Sequence, residues 1–135
     1  MNNTVFDCQL VNIDTIQHKS GKIAIVENKN ISFDIKRIYY LYDIPNYEQR
    51  GGHSHYNLEQ YLIAGSGSLT VVLKDGKDER RVFLNKPNVA LHILPGIWRE
   101  LKEFSSGAIC LVLASEKYDE NDYIRNYNDF LKIKQ

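Results

Sequence analysis

The sequence lacks an excess of charge of either sign, because its 17 Lys and Arg residues balance its 17 Asp and Glu residues. A protein that binds nucleic acid or an anionic membrane surface through bulk charge needs a surplus of cations, so the sequence predicts neither partner. It also lacks any apolar run long enough to cross a bilayer. The balance still allows a local basic pocket for one phosphate-bearing ligand.

Cysteine is scarce, with Cys8 and Cys110 as the only two. They form no CxxC motif, and a disulfide scaffold needs more of them. Cys110 lies in the apolar run 108–113, where a free thiol behaves as a small hydrophobic side chain, so we expect reduced core residues. The start of the sequence lacks the basic and apolar segments of a signal peptide. Together these features predict a cytoplasmic protein.

Linkers, repeats and low-complexity segments are also absent, and 135 residues suit one domain, predicted over 1–135. Short apolar runs alternate with turn residues, of which Asp75-Gly76 is the strongest hairpin signal. Such runs predict an all-β sandwich or barrel. They cover residues 23–26, 35–42, 61–64, 69–73, 80–84, 89–94 and 108–113. Only the end has helical spacing, which predicts a short helix over 119–132 capped by Asp119 or Asn121.

The segment 50–60 carries the strongest chemical signal. His53 and His55 project from the same face if this segment is a strand, because side chains alternate with period two. Two imidazoles on one face, with Glu59 shortly after, form either a metal half-site or an acid/base pair. The alternative is two surface histidines on an edge strand.

A second candidate lies in the run 35–42, where period two places Arg37 and Tyr39 on one face. The other face then carries Ile38, Tyr40 and Tyr42. An arginine beside a tyrosine on an inward face suits a diphosphate and a sugar hydroxyl. Alternatively, the tyrosines are core residues and Arg37 is a charge at a strand end.

A third candidate follows the turn Pro95-Gly96. Trp98, the single tryptophan, stands beside Arg99, and the two could form a stacking and anion-binding wall. The alternative is that Trp98 fills the core. His18, predicted to be exposed, and His92 have no partner visible in the sequence.

These motifs resemble the cupins. Gly51-x-His53-x-His55-x3-Glu59-x5-Gly65 is similar to the first cupin motif, and the segment 95–99 takes the place of the second. The resemblance implies a cupin-type jelly-roll β-barrel. A metal-binding cupin supplies a histidine from the second motif, whereas this chain has Arg99, which cannot ligate a metal. We therefore expect no metal and disfavour a metal-dependent dioxygenase.

A closer resemblance, to the sugar-nucleotide 3,4-ketoisomerases, extends over nearly the whole chain. It rests on residues 26–30, 35–40, 50–55, 58–60, 113–115 and 118–125. It implies a cofactor-free homodimer that acts on dTDP-4-keto-6-deoxyglucose and supplies aminotransferases that make 3-amino-3,6-dideoxy sugars for surface glycans. Two positions depart from the family pattern: Ser54 replaces an alanine between the histidines, and Arg99 replaces a histidine.

The resemblance implies that a histidine removes the C3 proton of the substrate, which gives an enediol intermediate, and that protonation at C4 completes the isomerisation. We expect His53, His55 and Tyr39 to be catalytic. The predicted substrate-binding residues are Arg37, Arg50, Arg99, Trp98 and Glu59. Two alternatives remain: a non-catalytic cupin that binds a sugar nucleotide, and an epimerase on the same substrate class. The sequence does not determine the configuration of the product at C4.

Overall fold

The computed structural model of the chain describes residues 2–135, with the backbone alone at positions 28 and 51; Met1 lies outside the described residues. Within that range the chain forms twelve β-strands and one α-helix. They are β1 (Leu10–Asn12), β2 (Asp14–His18), β3 (Gly21–Ile25), β4 (Arg37–Tyr42), β5 (Arg50–His55), β6 (Gln60–Ser66), β7 (Leu69–Lys74), β8 (Glu79–Leu84), β9 (Val89–Ile93), β10 (Trp98–Lys102), β11 (Ile109–Ala114), β12 (Tyr123–Ile124) and α1 (Tyr127–Lys134).

Ten strands form two five-stranded antiparallel sheets, in the orders β1-β9-β6-β11-β4 and β12-β5-β10-β7-β8. The remaining two, β2 and β3, pair with each other as a separate hairpin. The predicted all-β fold with a short C-terminal helix is confirmed. Since no strand of one five-stranded sheet pairs with a strand of the other among the described residues, the barrel is a flattened sandwich with open edges.

The core lies between the two sheets. Leu62 and Val112 from the first sheet pack with Val71 and Leu101 from the second. The intervening residues of β6 and β11 point the opposite way and form a second cluster, which the segment 26–35 covers. Because the residues 61–64 of β6 are buried on both faces of the strand, they are apolar without the alternation of a half-exposed strand.

The hairpin between β7 and β8 forms at Asp75-Gly76, as the sequence predicts. Gly76 has a φ of 92°, a conformation that residues with a side chain rarely adopt. The Asp75 carboxylate accepts hydrogen bonds from the backbone N–H groups of Lys77 and Asp78, and a third from that of Val5. The turn therefore also anchors the N-terminal segment.

The predicted C-terminal helix is wrong in its bounds. Residues Glu120–Asp122 form a 3₁₀ turn capped by Asp119, and only Tyr127–Lys134 is α-helical, with Asn126 as its cap. Between them, Tyr123 and Ile124 pair with β5 as an added strand. The helical spacing of the sequence also suits this strand and helix, because Ile124 of β12 and Phe130 of α1 belong to one apolar cluster with Trp98.

The cysteines and the apolar segments agree with the sequence-based predictions. Cys8 and Cys110 are buried and free, as expected. Burial raises the pKa of Cys110 to about 12, which makes it an inert core thiol. Of the helices among residues 2–135, none combines the length and the apolar character of a membrane span.

Candidate functional site

A polar cavity of about 200 Å³ opens between the two sheets. Its polar lining comes from the inner faces of β4, β5, β6 and β10 and from the segment around β12. The residues that supply it are Tyr39, Arg50, His53, Gln60, Arg99, Tyr123 and Arg125. Leu41, Leu62, Leu101 and Val112 form the apolar part of its wall, so the cavity is continuous with the core.

His53 and His55 project from the same face of β5, as their spacing predicts. Their rings meet edge to face with centroids 4.8 Å apart, and Tyr123 packs against both. His53 lines the cavity, and His55 is fully buried beside it. They are therefore not surface histidines on an exposed edge.

Both imidazoles are held neutral. Burial, followed by the positive charge of Arg99, lowers the pKa of His53 from 6.5 to about 3. The same two causes lower the pKa of His55 further. The Nε2 atoms of both rings are buried and, within residues 2–135, have no hydrogen-bond partner. His53, which lines the cavity, can therefore accept a proton from a molecule that enters it.

Asp122 fixes the orientation of His55. Its Oδ2 atom lies 3.2 Å from Nδ1 of His55, and its carboxylate also accepts the backbone N–H groups of Asn57 and Leu58. Because an ionised carboxylate only accepts hydrogen bonds, Nδ1 of His55 carries the hydrogen. The lone pair of His55 is consequently on Nε2, the atom without a partner.

Arg99 is a buried cation, with only 1% of its surface exposed. It donates from Nε and Nη2 to the carbonyl oxygen of Ile97 and from Nη1 to Oε1 of Gln60 at 2.6 Å. Burial lowers its pKa to about 10, so it remains charged near neutral pH. Among the carboxylates of the described chain, none lies within ion-pair distance of it. A buried charge without a counterion is costly, and an anion in the cavity would relieve that cost.

The strand β4 presents Arg37 and Tyr39 inward, as its pattern predicts, and Ile38, Tyr40 and Tyr42 outward. The Tyr39 hydroxyl accepts a hydrogen bond of 2.9 Å from Nε2 of Gln60. Burial raises the pKa of Tyr39, so its phenol stays protonated. The Arg37 guanidinium lies 5.1 Å from the centre of the Tyr39 ring, in a cation–π contact.

Two further arginines stand at the edge of the cavity. Arg50 is exposed at the start of β5. Arg125 lies over the Tyr123 ring, with its guanidinium 4.1 Å from the ring centre, and is held by two hydrogen bonds to Glu120. With Arg99, they give the cavity three cationic side chains, although the whole chain has no net charge.

The structure does not bring Trp98 to this cavity. Alternation along β10 turns Arg99 inward and Trp98 outward, where it packs between Tyr127 and Phe130 of α1. Its indole N–H donates to Glu100 at 3.1 Å. The prediction that Trp98 forms a stacking wall of the substrate site is therefore corrected. Trp98 instead holds the C-terminal helix against the second sheet.

The prediction that Glu59 binds the substrate is also corrected, because Glu59 is not among the residues that line the cavity. It precedes β6, and its carboxylate is 2.8 Å from Nε2 of His92. The His92 ring stacks on Tyr61, with ring centres 4.3 Å apart. The neighbouring residue, Gln60, faces the cavity instead, because the strand alternates from one face to the other.

Sequence reasoning missed four residues of the site: Gln60, Asp122, Tyr123 and Arg125. All four lie within the segments that carry the family resemblance, at 58–60 and 118–125. That resemblance was the signal for them in the sequence, whereas a helix over 119–132 would not place the last three beside β5.

The donor set at this site does not suit a metal ion. Arg99, Tyr39 and Gln60 face the two histidines, and a guanidinium repels a cation. Among the residues that the structure describes, no three His, Cys, Asp or Glu side chains are placed to hold a metal together.

Comparison with known proteins adds to this geometry. The family model "FdtA: WxcM-like, C-terminal" matches residues 6–135. The TDP-4-oxo-6-deoxy-alpha-D-glucose-3,4-oxoisomerase of Aneurinibacillus thermoaerophilus is 46% identical over 117 residues, which cover 87% of this chain and 84% of that protein.

Two solved structures are similar over almost their full length. A 3,4-ketoisomerase from Helicobacter canadensis is 45% identical with a TM-score of 0.92, over 95% of this chain and 97% of that one. A histidine-to-asparagine variant of the 3,4-ketoisomerase from Thermoanaerobacterium thermosaccharolyticum, in complex with TDP-4-keto-6-deoxyglucose, is 41% identical with a TM-score of 0.93 over 96% of this chain and 94% of that one. With the sheet arrangement above, these likenesses confirm the predicted cupin-type fold.

Proposed function

Since the chain belongs to the FdtA, WxcM-like C-terminal family, we propose that it is a metal-independent isomerase. It moves the keto group of TDP-4-keto-6-deoxyglucose, a dTDP-linked keto sugar, from C4 to C3. The matched relatives are named for this reaction or crystallised with this substrate, which supports the assignment. The site supplies the chemistry that the reaction needs.

One observation carries the proposal: a buried cation, with no carboxylate of the described residues in ion-pair distance, lies beside two neutral histidines. Removal of a proton next to a ketone creates negative charge on the ketone oxygen. Arg99 is already buried and oriented, so it stabilises that charge without the reorganisation that water requires. His53 supplies the neutral base that takes the proton, and the neutral His55 packs against it.

The reaction then has two proton transfers at carbon and one between the two oxygens. A histidine removes the proton on C3, the C3–H electron pair forms a C3=C4 double bond, and the carbonyl π electrons move onto the C4 oxygen. In the resulting enediolate the proton of the C3 hydroxyl passes to the C4 oxygen, the C3=O bond forms, and the former double-bond electrons take a proton at C4 from the protonated histidine. The product is the 3-keto sugar, with the same atoms and charge as the substrate.

The two histidines have different settings. Asp122 holds His55 by its Nδ1–H, but the His55 ring is fully buried and is not among the residues that line the cavity. His53 lines the cavity, and its Nε2 has no hydrogen-bond partner among the described residues. We therefore assign the C3 proton to His53 and the support of the His53 ring to His55.

The cavity accommodates the sugar ring and not the whole nucleotide sugar. Its volume of about 200 Å³ is below the roughly 300–1,000 Å³ of typical small-molecule sites. The nucleotide diphosphate therefore lies at the cavity mouth, where Arg50 and Arg125 stand. A forked guanidinium suits a diphosphate, because it can donate to two oxygens at once. Arg37 faces inward behind Tyr39 and adds positive charge on the same side.

The direct test is to incubate the protein with TDP-4-keto-6-deoxyglucose in D₂O and to follow the sugar ring by proton NMR. The proposal predicts that the carbonyl moves to C3 and that deuterium appears at C4, and the H4 coupling in a parallel run in H₂O then gives the configuration of the product. A bound but unchanged substrate would favour the non-catalytic binding protein. Deuterium at C3 or C5 with the carbonyl still at C4 would favour the epimerase.

Single variants separate the two histidines. Replacing His53 by Asn should abolish turnover and keep TDP binding, because the diphosphate contacts lie at the mouth. Replacing His55 by Asn should lower kcat less, by about 10²-fold. The reverse order would transfer the base to His55.

The homodimer is also a proposal, supported by unpaired apolar surface. Strand β4 is an edge strand of its sheet, and Ile38, Tyr40 and Tyr42 are each about 60% exposed on its outer face. The hairpin β2–β3 exposes Ile16 and Ile23. A second copy of the chain can cover these surfaces. Sedimentation should give a dimer that Tyr40→Glu weakens and that Phe83→Glu, on the other sheet, does not.

We place the reaction in the cytoplasm, where nucleotide sugars are made and free thiols such as Cys8 and Cys110 stay reduced. The C3 ketone of the product is the substrate that an aminotransferase needs to install nitrogen at C3. This reaction class is consistent with the supply of 3-amino-3,6-dideoxy sugars for surface glycans.

A further inference from the structure

Gln60 joins two functional groups of the cavity that do not contact each other directly. Its Oε1 accepts a hydrogen bond of 2.6 Å from Nη1 of Arg99. Its Nε2 donates a hydrogen bond of 2.9 Å to the hydroxyl of Tyr39. The side chain is only 3% exposed, so solvent does not compete for either bond.

Arg99 determines which way the Gln60 amide faces. An amide oxygen and an amide nitrogen are similar in shape, and only their partners distinguish them. A guanidinium has donors and no acceptor, so the group that it contacts must be the amide oxygen. The NH₂ group of Gln60 then faces Tyr39.

This orientation sets the direction of the Tyr39 hydroxyl. The phenol oxygen accepts from Gln60, so its own hydrogen must point to another acceptor. No side chain or carbonyl of the described residues accepts it, and Tyr39 lines the cavity. The hydrogen is therefore available to an oxygen of a molecule in the cavity.

We propose that Gln60 is a positioning residue for the reaction: held by Arg99, it fixes the Tyr39 hydroxyl as a hydrogen-bond donor to the substrate oxygen at C4. The inference rests on the proposed function. As the C3 proton leaves and charge develops on the C4 oxygen, that oxygen receives a hydrogen bond from Tyr39 in addition to the field of Arg99. Tyr39 stays protonated throughout, so no further proton acceptor is required.

A purely structural role for Gln60 has a different consequence. In that case the amide only satisfies the buried Arg99, and a carboxylate at position 60 would do so at least as well. Gln60→Glu separates the two roles, because Glu is nearly the same size and both carboxylate oxygens accept. The Tyr39 hydroxyl would then donate its hydrogen to residue 60 and turn it away from the substrate.

The experiment measures kcat and TDP affinity for wild type, Gln60→Glu, Tyr39→Phe and the double variant. Loss of one preorganised donor to an oxyanion costs about 10²–10³-fold in kcat. We expect Gln60→Glu and Tyr39→Phe each to lose that factor, with TDP affinity retained. The double variant should be no slower than either single variant, because both remove the same hydrogen bond. Gln9→Glu, a matched change at an exposed position, should have the kcat of wild type.

The double variant also tests the effect of the added charge. If Gln60→Glu acted by neutralising Arg99, it would slow Tyr39→Phe further. A kcat of Gln60→Glu equal to that of wild type, or additive losses in the double variant, would overturn the inference.

A second measurement needs neither turnover nor a folded Gln60→Glu variant. In the NMR spectrum, one side-chain amide proton of Gln60 should move upfield in Tyr39→Phe, because its acceptor is gone. An unchanged resonance would show that the amide does not bind Tyr39. If the wild-type protein leaves the keto group at C4, only the proposed function is contradicted. The amide resonance would then still test the hydrogen bond between Gln60 and Tyr39.

Discussion

Acid should destabilise the folded chain through His53, because burial holds this imidazole neutral. Burial and the charge of Arg99 lower the pKa of His53 from 6.5 to about 3. In the unfolded chain the same side chain titrates near ~6.5. Below that pH the unfolded chain binds a proton that the folded chain does not. The free energy of unfolding therefore falls as the pH falls, over the window between these two pKa values.

The size of the effect follows from the pKa of His53 in the two states. At pH 7.5 neither state binds the proton, and at pH 5 the unfolded state binds almost one while the folded state binds almost none. The loss between these pH values corresponds to about 1.5 pH units at about 1.36 kcal/mol each, or about 2 kcal/mol. His55 acts in the same direction, since burial also lowers its pKa.

The assay is urea unfolding of wild type and His53→Gln at pH 7.5 and pH 5, at one protein concentration. Glutamine is polar and does not titrate in this range, so it removes the proton linkage of His53 alone. Between pH 7.5 and pH 5, the free energy of unfolding should fall by about 2 kcal/mol more for wild type than for the variant. His18→Gln, on the exposed β2–β3 hairpin, should follow wild type. If the free energy of unfolding falls equally for wild type and His53→Gln, the conclusion that His53 is buried and neutral would be refuted.

Three other predictions test the site. Asp122→Asn should lower kcat by up to about 10²-fold, because an amide at this position can donate to Nδ1 of His55, move its hydrogen to Nε2 and so disturb the ring that supports His53; retained activity would show that Asp122 does not set the tautomer. Trp98→Phe should lower the free energy of unfolding by about 1–2 kcal/mol and leave kcat/KM unchanged, since Trp98 faces α1; a raised KM would return Trp98 to the substrate site. Dialysis against EDTA should leave kcat unchanged, because Arg99 occupies the place of a metal ligand, and activity that zinc restores would contradict this.

The residues on the inward faces of β4 and β5 could be predicted from the sequence. In both strands one residue in two is chemically distinctive, so the period of two identifies the face, and His53, His55, Arg37 and Tyr39 all point inward. The position of turns was also predictable, because Asp75-Gly76 requires the left-handed conformation that Gly76 adopts.

The residue that faces the cavity could not be predicted from the sequence where two adjacent residues both suit a ligand site. In β10, Trp98 and Arg99 each suit a ligand site, and only the packing of α1 shows that Trp98 is the outward one. At the start of β6, Glu59 matched the motif, but it pairs with His92 and leaves Gln60 to face the cavity. A neutral amide there also avoids cancelling the charge of Arg99.

The segment before α1 could not be predicted from periodicity. Spacings of three and four suit a helix, but Tyr123 and Ile124 gain hydrogen bonds to β5 as a strand. The carboxylate of Asp122 also binds His55 and two backbone N–H groups, which a helix over 119–132 would break. These partners lie more than sixty residues away in sequence, so local spacing does not contain them.

The most direct test of the central claim uses TDP-4-keto-6-deoxyglucose labelled with ¹³C at C4. After incubation with the wild-type protein, the account predicts that the labelled carbon loses its carbonyl resonance and appears as a carbon bearing a hydroxyl group. The His53→Asn, His55→Asn double variant should leave the label in place. A labelled carbon that remains a carbonyl with the wild-type protein, at a concentration where TDP binding is saturated, would contradict the account.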